Sequence, residues 1–138
     1  MFSIGTLSDR TGVKVPTIRY YEDMGLMPPA ERTAGNQRRY TRTGLDRLGF
    51  IKHARDLGFS IDAIRALIDL HDHPDKSCAA ATAITQAQLA DVRARITRLQ
   101  RLETELTRIA QSCDGDGTAG DCCVLTALSD HDLCETAH

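Results

Sequence analysis

The sequence predicts a mainly α-helical protein in which a small N-terminal head is followed by one long helix. Three observations support this fold class. Hydrophobic residues make up 41% of the 138-residue chain and aromatic residues only 4%, which favours helices that pack through aliphatic side chains. Leu, Ile and Val recur at steps of three and four residues, the spacing of one helix face. No Gly or Pro interrupts residues 78–112, so this segment is predicted to form one long helix.

Two short helices separated by a tight turn are expected at the N-terminus. Ser3 can cap a helix that ends near Thr11, because Ser is a favoured N-cap residue. Gly12 then supplies the break before a second helix, which begins at Pro16 and ends at Gly25. This arrangement is a helix-turn-helix pattern.

The segment from Leu26 to Tyr40 predicts a β-wing. It contains two prolines, which disfavour helix, and a Gly35-Asn36 pair, which suits the tip of a hairpin. A solvated surface loop is the alternative for this segment taken alone.

Two further helices are expected between the wing and the long helix. Thr43 can cap the first of them and Gly58 can end it, while Ser60 can cap the second. The expected apolar stripes are Leu45, Leu48, Ile51 and Leu57 in the first, and Ile61, Ile64, Leu67 and Leu70 in the second.

The long helix carries an apolar stripe that a chain of this size cannot cover. Its ~35 residues would span roughly 50 Å at 1.5 Å per residue. A helix of this length that leaves a small domain is expected to pair with a second copy. The stripe consists of Leu89, Val92, Ile96, Leu99, Leu102, Leu106 and Ile109.

Charge is divided unevenly along the chain. Residues 1–57 carry ten Lys or Arg against six Asp or Glu, a net charge of +4, whereas residues 58–138 carry seven against thirteen, a net charge of −6. A basic N-terminal half suits a polyanion such as DNA, although an excess this small is also common on ordinary surfaces.

The second helix and the wing carry the side chains that DNA contacts require. Arg, Lys, Thr and Tyr groups and helix N-termini contact phosphates and base edges in a major groove. The candidates from the helix are Lys14, Thr17, Arg19 and Tyr20 or Tyr21, and those from the wing are Arg32, Arg38, Arg39 and Tyr40. Together they predict a DNA-binding head.

Five motifs, in order along the chain, resemble the signature of the MerR family of bacterial transcription regulators. They are Ile4-Gly5-x-Leu7, Thr17-Ile18-Arg19-Tyr20-Tyr21-Glu22, Gly25-Leu26-x-Pro28-Pro29, Arg32-x-x-Gly35-Asn36-x-Arg38-x-Tyr40 and Arg55-x-Leu57-Gly58-Phe59. The resemblance covers essentially the whole chain. It implies a winged helix-turn-helix DNA-binding domain, a long antiparallel coiled-coil dimerisation helix and a C-terminal metal-binding loop.

The resemblance also implies roles for particular residues. The second helix would lie in the major groove, the wing would grip the flanking backbone, and Arg19, Arg38 and Tyr40 would anchor phosphates. Relatives commonly carry an aromatic residue at the position of Gln37, so one packing contact of the wing differs here. The expected domains are residues 1–76 for the DNA-binding domain with its linking helices, 77–112 for the dimerisation helix, and 113–138 for the metal-binding loop, a short helix and a tail.

The cysteines predict metal binding or redox sensing. No stretch approaches the ~20 apolar residues of a membrane span, and the N-terminus lacks a signal peptide, so we expect a cytoplasmic protein with no membrane partner. Disulfide frameworks are rare in that reducing compartment. Four of the five cysteines lie in the last 26 residues, which is typical of a metal site or a redox sensor.

Three cysteines can meet only between two chains. Cys78 and Cys113 lie at opposite ends of the long helix, roughly 50 Å apart. If two such helices pair antiparallel, Cys78 of one chain comes beside Cys113 and Cys122 of the other, which gives three thiolates around one point. The eight residues between Cys113 and Cys122 are rich in Gly and Asp and flexible enough to bring both sulfurs to one ion.

The resemblance further implies a divalent ion, because a Cys at the start of the dimerisation helix is typical of the divalent-metal branch of the family. Zn(II), Cd(II), Pb(II) and Hg(II) all suit thiolates. A mixed Cys and His set favours Zn(II), and a second site could use Cys123, His131 and Cys134. The alternative is that Cys123 packs under the short helix and the other two belong to a frayed terminus.

The function expected is that of a metal-responsive activator. A homodimer would stay on an inverted-repeat promoter, and metal binding would change the helix packing so that the DNA is distorted and RNA polymerase gains access. The main alternative is a thiol-based or iron–sulfur redox sensor of the same family. A zinc enzyme is disfavoured because no HExxH motif, Ser-His-Asp set or phosphate loop is found. A drug-binding regulator of the same family is disfavoured as well, because it would carry a larger effector domain after the long helix than the 26 residues found there.

Overall fold

The computed structural model describes residues 1–113 and 115–130 and confirms the mainly α-helical class. A two-stranded sheet lies between the second and third helices. The elements are α1 (Ile4–Thr11), α2 (Val15–Asp23), β1 (Glu31–Arg32), β2 (Arg38–Arg39), α3 (Arg42–Asp56), α4 (Ile61–His71), α5 (Ala79–Gln111), a 3₁₀ turn at Ala119–Asp121 and α6 (Cys123–Ser129). Among these described helices, none is long and apolar enough to cross a membrane.

The first two helices form as the sequence predicts. The Ser3 hydroxyl oxygen accepts a hydrogen bond from the Thr6 N–H at 3.1 Å and so caps α1. Gly12 ends α1 in the left-handed region, with φ of 75°, a conformation that Gly adopts without steric cost. The second helix begins at Val15, one residue earlier than expected, and Pro16 occupies its first turn.

The wing is an antiparallel hairpin, as expected. Glu31 pairs with Arg39 and Arg32 with Arg38. The turn between the strands is closed by a hydrogen bond of 2.9 Å from the Asn36 N–H to the Thr33 carbonyl. Phe2 and Tyr40 add two backbone hydrogen bonds of 2.7 and 2.8 Å, so the N-terminus holds the base of the wing.

The third helix differs from the prediction at both ends. Thr41 caps it, because its side-chain oxygen accepts from the Gly44 N–H at 3.2 Å, whereas Thr43 lies within the helix. Leu57 follows the last helical residue and is 56% exposed, so it does not continue the apolar stripe. Ser60 caps α4 as predicted, with its side-chain oxygen accepting from the Ala63 N–H at 3.1 Å.

The chain divides into two compact units, residues 1–85 and 86–138. The first has a hydrophobic core to which α1, α2, the wing, α3 and α4 all contribute. Its fully buried large side chains are Leu7, Ile18, Leu26, Tyr40, Leu48, Ile51 and Ile64. Because Ile18 and Tyr21 of α2 belong to this core, the orientation of α2 in the head is fixed. The domain boundaries after residues 76 and 112 stay a prediction.

The second unit buries few side chains. Glu105, Ile109 and Ala127 are its buried residues within the part of the chain that the structure describes. The apolar stripe of α5 is mostly exposed, from 37% at Val92 to 63% at Leu99.

Candidate nucleic-acid interface and metal-binding loop

A basic groove of about 560 Å³ lies between α2, the wing and the start of α1. Four arginines line it, one from α2 and three from the two strands of the wing: Arg19, Arg32, Arg38 and Arg39. Ser3 and Ile4 contribute the N-terminal end of α1, where the helix dipole favours negative charge. The positive charge of this groove suits the phosphate backbone of a nucleic acid.

The α2 helix presents its candidate side chains on the face opposite the core. Lys14, Arg19 and Tyr20 are exposed, and Thr17 is half-buried. Tyr20 is 49% exposed and Tyr21 only 7%, because the helical repeat turns Tyr21 towards the core beside Ile18. Of the two tyrosines that the sequence offers as DNA contacts, Tyr20 is therefore the one available to a ligand. Tyr21 is buried in the core and does not fit that expectation.

Tyr40, which the family resemblance implies as a phosphate anchor, is buried in this structure. Its side chain is only 2% exposed, and its hydroxyl donates a hydrogen bond of 2.7 Å to Oε2 of Glu22. Burial, and then this bond to a carboxylate, raise the pKa of Tyr40 to about 12. Tyr40 therefore belongs to the packing that supports the wing.

Glu22 connects α2 to the wing, a role that the sequence motifs did not suggest. Besides the Tyr40 hydroxyl, its carboxylate accepts from the Ala30 N–H at 3.5 Å, and Oε2 lies 3.7 Å from Nη1 of Arg38. This guanidinium nitrogen is buried and makes no hydrogen bond with any described residue. The Glu22 carboxylate thus connects Ala30, Arg38 and Tyr40 of the wing segment to the helix that carries Arg19.

The loop between α5 and α6 brings two cysteine sulfurs together. The sulfur of Cys113 accepts hydrogen bonds from the backbone N–H groups of Gly115 and Cys123 and interacts with the thiol of Cys122. These contacts, that of Gly115 first, stabilise the thiolate and lower the pKa of Cys113, while desolvation opposes them. Gly115 and Gly117 have φ of 85° and 96°. Glycine adopts these backbone conformations freely, whereas a residue with a side chain would be strained there.

Cys78 is exposed and directly precedes α5. Its carbonyl accepts the helical hydrogen bond from the Thr82 N–H at 3.0 Å. It borders a pocket of about 400 Å³ in the first unit, which is lined by Phe50, Leu67, Leu70, His71, Pro74, Lys76, Ser77, Cys78 and Ala81. Within residues 1–113 and 115–130 of a single chain, no three Cys, His, Asp or Glu side chains are placed to hold a metal ion.

The residues expected to form a second metal site are only partly described. Cys123 is exposed at the first position of α6, and its N–H group supports the Cys113 sulfur. His131 and Cys134 lie outside the described residues. A joint role of these three residues therefore stays a prediction.

Two family models match the chain. The one described as "MerR HTH family regulatory protein" matches residues 2–70, and the one described as "MerR, DNA binding" matches residues 45–109. The chain belongs to the MerR family of transcription regulators. Its winged helix-turn-helix head and long helix are therefore those of a MerR regulator, a DNA-binding protein and not an enzyme.

Similar proteins agree with this assignment to the MerR family. The chain is 40% identical over 130 residues to the HTH-type transcriptional regulator ZntR of Escherichia coli K12, which covers 93% of this chain and 92% of the relative. It is 35% identical to the mercuric resistance operon regulatory protein of Bacillus cereus, and the match covers 92% of this chain and 96% of that protein. The crystal structure of PbrR691 from Ralstonia metallidurans CH34 in complex with lead(II) matches with a TM-score of 0.79 and 38% identity, covering 93% of this chain and 99% of that one.

Proposed function

We propose that this MerR regulator is a metal-responsive activator that binds promoter DNA as a homodimer, with Zn(II) as the favoured inducer. The observation that carries the proposal is the meeting of the Cys113 and Cys122 sulfurs in the loop after α5. Thiolates are ligands that soft and borderline metals prefer. Mercury and lead, the metals named for two of its relatives, are among the metals that thiolates bind well.

The head supplies DNA binding in this proposal. Arg19, Arg32, Arg38 and Arg39 contact phosphates from the groove, and Lys14, Thr17 and Tyr20 face the DNA from α2. Two copies of this head, related by a two-fold axis, contact an inverted repeat.

Each metal site is shared between two subunits. Cys113 and Cys122 of one subunit supply two thiolates, and Cys78 of the partner subunit supplies the third. The exposed apolar stripe of α5 supports the pairing of two chains that this sharing requires. A bound divalent ion would neutralise the thiolates and fix the loop against the partner subunit. Cys123, His131 and Cys134 are candidates for a second ion.

Activation follows from a change in packing. When the loop is fixed, the two α5 helices and their heads adopt one arrangement, in which the wings and α2 helices distort the promoter spacer. A change in DNA geometry gives RNA polymerase access without a large change in operator affinity.

Mixed dimers test the shared site. Cys78→Ser and Cys122→Ser homodimers each lack one ligand in both sites, so both should lose metal-dependent transcription in vitro. A heterodimer of the two retains one intact set, with Cys78 from one subunit and Cys113 and Cys122 from the other. Recovery of metal response and of one metal equivalent per dimer in the mixture would support the proposal. A mixture as inactive as its parents would overturn the shared site.

The inducing metal is tested by anaerobic titration of the reduced apo-dimer with Zn(II), Cd(II), Pb(II), Hg(II) and Cu(I). Transcription from the operator is the readout, and Cys78→Ser is the control. We expect activation by Zn(II) that the control lacks. Activation by another divalent ion alone would overturn the zinc assignment.

A redox sensor is the second candidate, because the Cys113 thiolate that N–H groups stabilise also suits oxidation. Failure of every metal to activate, together with iron and acid-labile sulfide in the purified protein or a response to peroxide, would favour it.

A further inference from the structure

An acidic side chain lies next to the basic groove of the head. Glu22 is on α2, on the same helix as Arg19, but it is not among the residues that line the groove. Its side chain is only 16% exposed. A carboxylate close to a phosphate-binding surface repels the phosphates of DNA. Its presence at this place therefore needs a compensating role.

The contacts of Glu22 lead to one arginine of the groove. Oε2 of Glu22 lies 3.7 Å from Nη1 of Arg38, and this nitrogen is buried without a hydrogen-bond acceptor in the part of the chain that the structure describes. The Arg38 side chain nevertheless keeps 30% of its surface exposed and lines the groove. One nitrogen of the guanidinium therefore points inward, and the exposed remainder is available to a ligand.

The carboxylate that Arg38 approaches is itself held in place. The buried Tyr40 hydroxyl donates to Oε2 of Glu22 at 2.7 Å, and the Ala30 N–H donates to Oε1 at 3.5 Å. A guanidinium is a rigid plane with five N–H donors, so a partner on one nitrogen also restricts the direction of the others. The ion pair with Glu22 can thus orient the exposed donors of Arg38.

The other two arginines of the wing have their partners within the hairpin. Nη1 of Arg32 donates to the Asn36 carbonyl at 3.2 Å, and Nη2 of Arg39 donates to the side-chain oxygen of Gln37 at 3.4 Å. Such contacts shape the wing but do not connect it to another element. The ion pair of Arg38 instead leads out of the hairpin to α2.

We propose that Glu22 is a positioning residue for operator binding, because its carboxylate orients the Arg38 guanidinium towards the phosphate backbone. This inference rests on the proposed DNA contact of Arg38 and adds a residue that does not itself touch DNA. A side chain that is oriented before binding loses less conformational entropy when the complex forms. This gain exceeds the repulsion between the carboxylate and the phosphates.

Glu22→Gln tests the role by the direction of its effect on DNA binding. The substitution keeps the shape of the side chain and an oxygen acceptor for the Tyr40 hydroxyl, but it removes the charge that attracts Arg38. A carboxylate that only repels DNA would leave binding tighter once it is neutralised. We expect instead that the operator dissociation constant, measured by fluorescence anisotropy on the full-length protein, rises about five- to tenfold. Binding as tight as that of wild type, or tighter, would overturn the proposal.

Two further substitutions serve as references for Glu22→Gln. Asp23→Asn is the matched control, since it removes the same charge from the exposed neighbouring position of α2 and should not raise the constant more than about twofold. Glu22→Asp keeps the charge but withdraws it from Arg38 by one methylene, so it should weaken binding less than Glu22→Gln does. Urea unfolding and circular dichroism verify that each variant is folded. An equal loss in Asp23→Asn would assign the effect to net charge and overturn the positioning role.

A double-mutant cycle tests whether Glu22 acts through Arg38. Arg38→Ala alone should weaken operator binding about tenfold or more and lower the slope of log affinity against log salt concentration by about one. In the Arg38→Ala background, Glu22→Gln should change the constant less than about twofold, since the side chain that it orients is absent. The same loss in both backgrounds would show a general structural role and overturn the proposal.

The cycle also separates this inference from the proposed function. If Arg38→Ala weakens binding and Glu22→Gln does not, Arg38 contacts DNA without help from Glu22, and the positioning role alone is wrong. If Arg38→Ala leaves both the affinity and the salt slope unchanged, the proposed DNA contact of Arg38 is wrong as well.

Discussion

The two units of the molecule differ in how they bury apolar side chains. Residues 1–85 enclose a core in which Leu7, Ile18 and Leu48 are completely buried, whereas the α5 stripe in the second unit leaves Leu99 63% exposed. The head therefore buries its apolar side chains within one chain, whereas the second unit leaves most of the α5 stripe exposed. This difference supports the proposed pairing of two subunits, because a partner subunit would cover the stripe.

The largest effect expected is that of Leu48→Ala in the core of the head. Removal of a completely buried Leu should lower the free energy of unfolding by about 3 kcal/mol, since it leaves a cavity. Urea unfolding followed by circular dichroism measures the change. Leu57→Ala, in the exposed residue that follows the same helix, is the control and should cost less than about 1 kcal/mol. Equal losses would contradict a core confined to the inner face of α3.

Next in size is the loss of operator binding in Arg19→Ala. Removal of one arginine from the groove should weaken binding about 10- to 100-fold. It should also reduce the slope of log affinity against log salt concentration by about one. Fluorescence anisotropy at several salt concentrations measures both, and metal binding should stay unchanged. The matched variant is Arg42→Ala, since Arg42 is 74% exposed and paired with Asp46 on α3, outside the groove. A similar loss in both variants would show that net charge and not the groove determines binding.

A smaller effect is expected at the support of the wing. Tyr40→Phe removes the hydrogen bond to Glu22 and should cost about 1.5 kcal/mol of unfolding free energy at neutral pH. Because the pKa of Tyr40 is about 12 in the folded protein and about 10 when unfolded, the unfolded state loses its proton first. The contribution of this hydroxyl is therefore complete below pH 10 and lost as the pH rises towards 12.

The difference between wild type and Tyr40→Phe in denaturant midpoint should thus narrow above pH 10. Tyr20→Phe deletes the same hydroxyl from an exposed ring and should leave stability within about 0.5 kcal/mol of wild type at all pH values. A gap that widens with pH would contradict the raised pKa.

The smallest effect is expected at the N-cap of α3, where it distinguishes Thr41 from Thr43 as the capping residue. Thr41→Ala should lower the unfolding free energy by about 1 kcal/mol, because it removes the side-chain acceptor for the Gly44 N–H. Thr43→Ala deletes the same hydroxyl two residues later, inside the helix, and should be nearly neutral. Thermal unfolding of the two variants measures the difference, and the reverse order would favour the cap predicted from sequence.

The sequence by itself determined the helices, the wing and the family. Ser3, Gly12 and Ser60 act through neighbouring backbone atoms, so their capping roles are local and were predicted correctly. The start of α3 was not, because Thr41 and Thr43 are both good caps and only the bridge between Phe2 and Tyr40 fixes where the wing ends.

The tertiary structure alone decided which predicted site residues are exposed. Tyr20 and Tyr21 are neighbours of the same type, and Tyr40 lies in a basic segment, so the sequence offers no means to separate ligand contacts from core residues. Glu22 was missed for the same reason, since its partners Ala30, Arg38 and Tyr40 are 8 to 18 residues away. The contact of Cys113 with Cys122 likewise depends on how the loop folds back. Local signals come from adjacent residues, whereas burial and long-range hydrogen bonds exist only once the chain has folded.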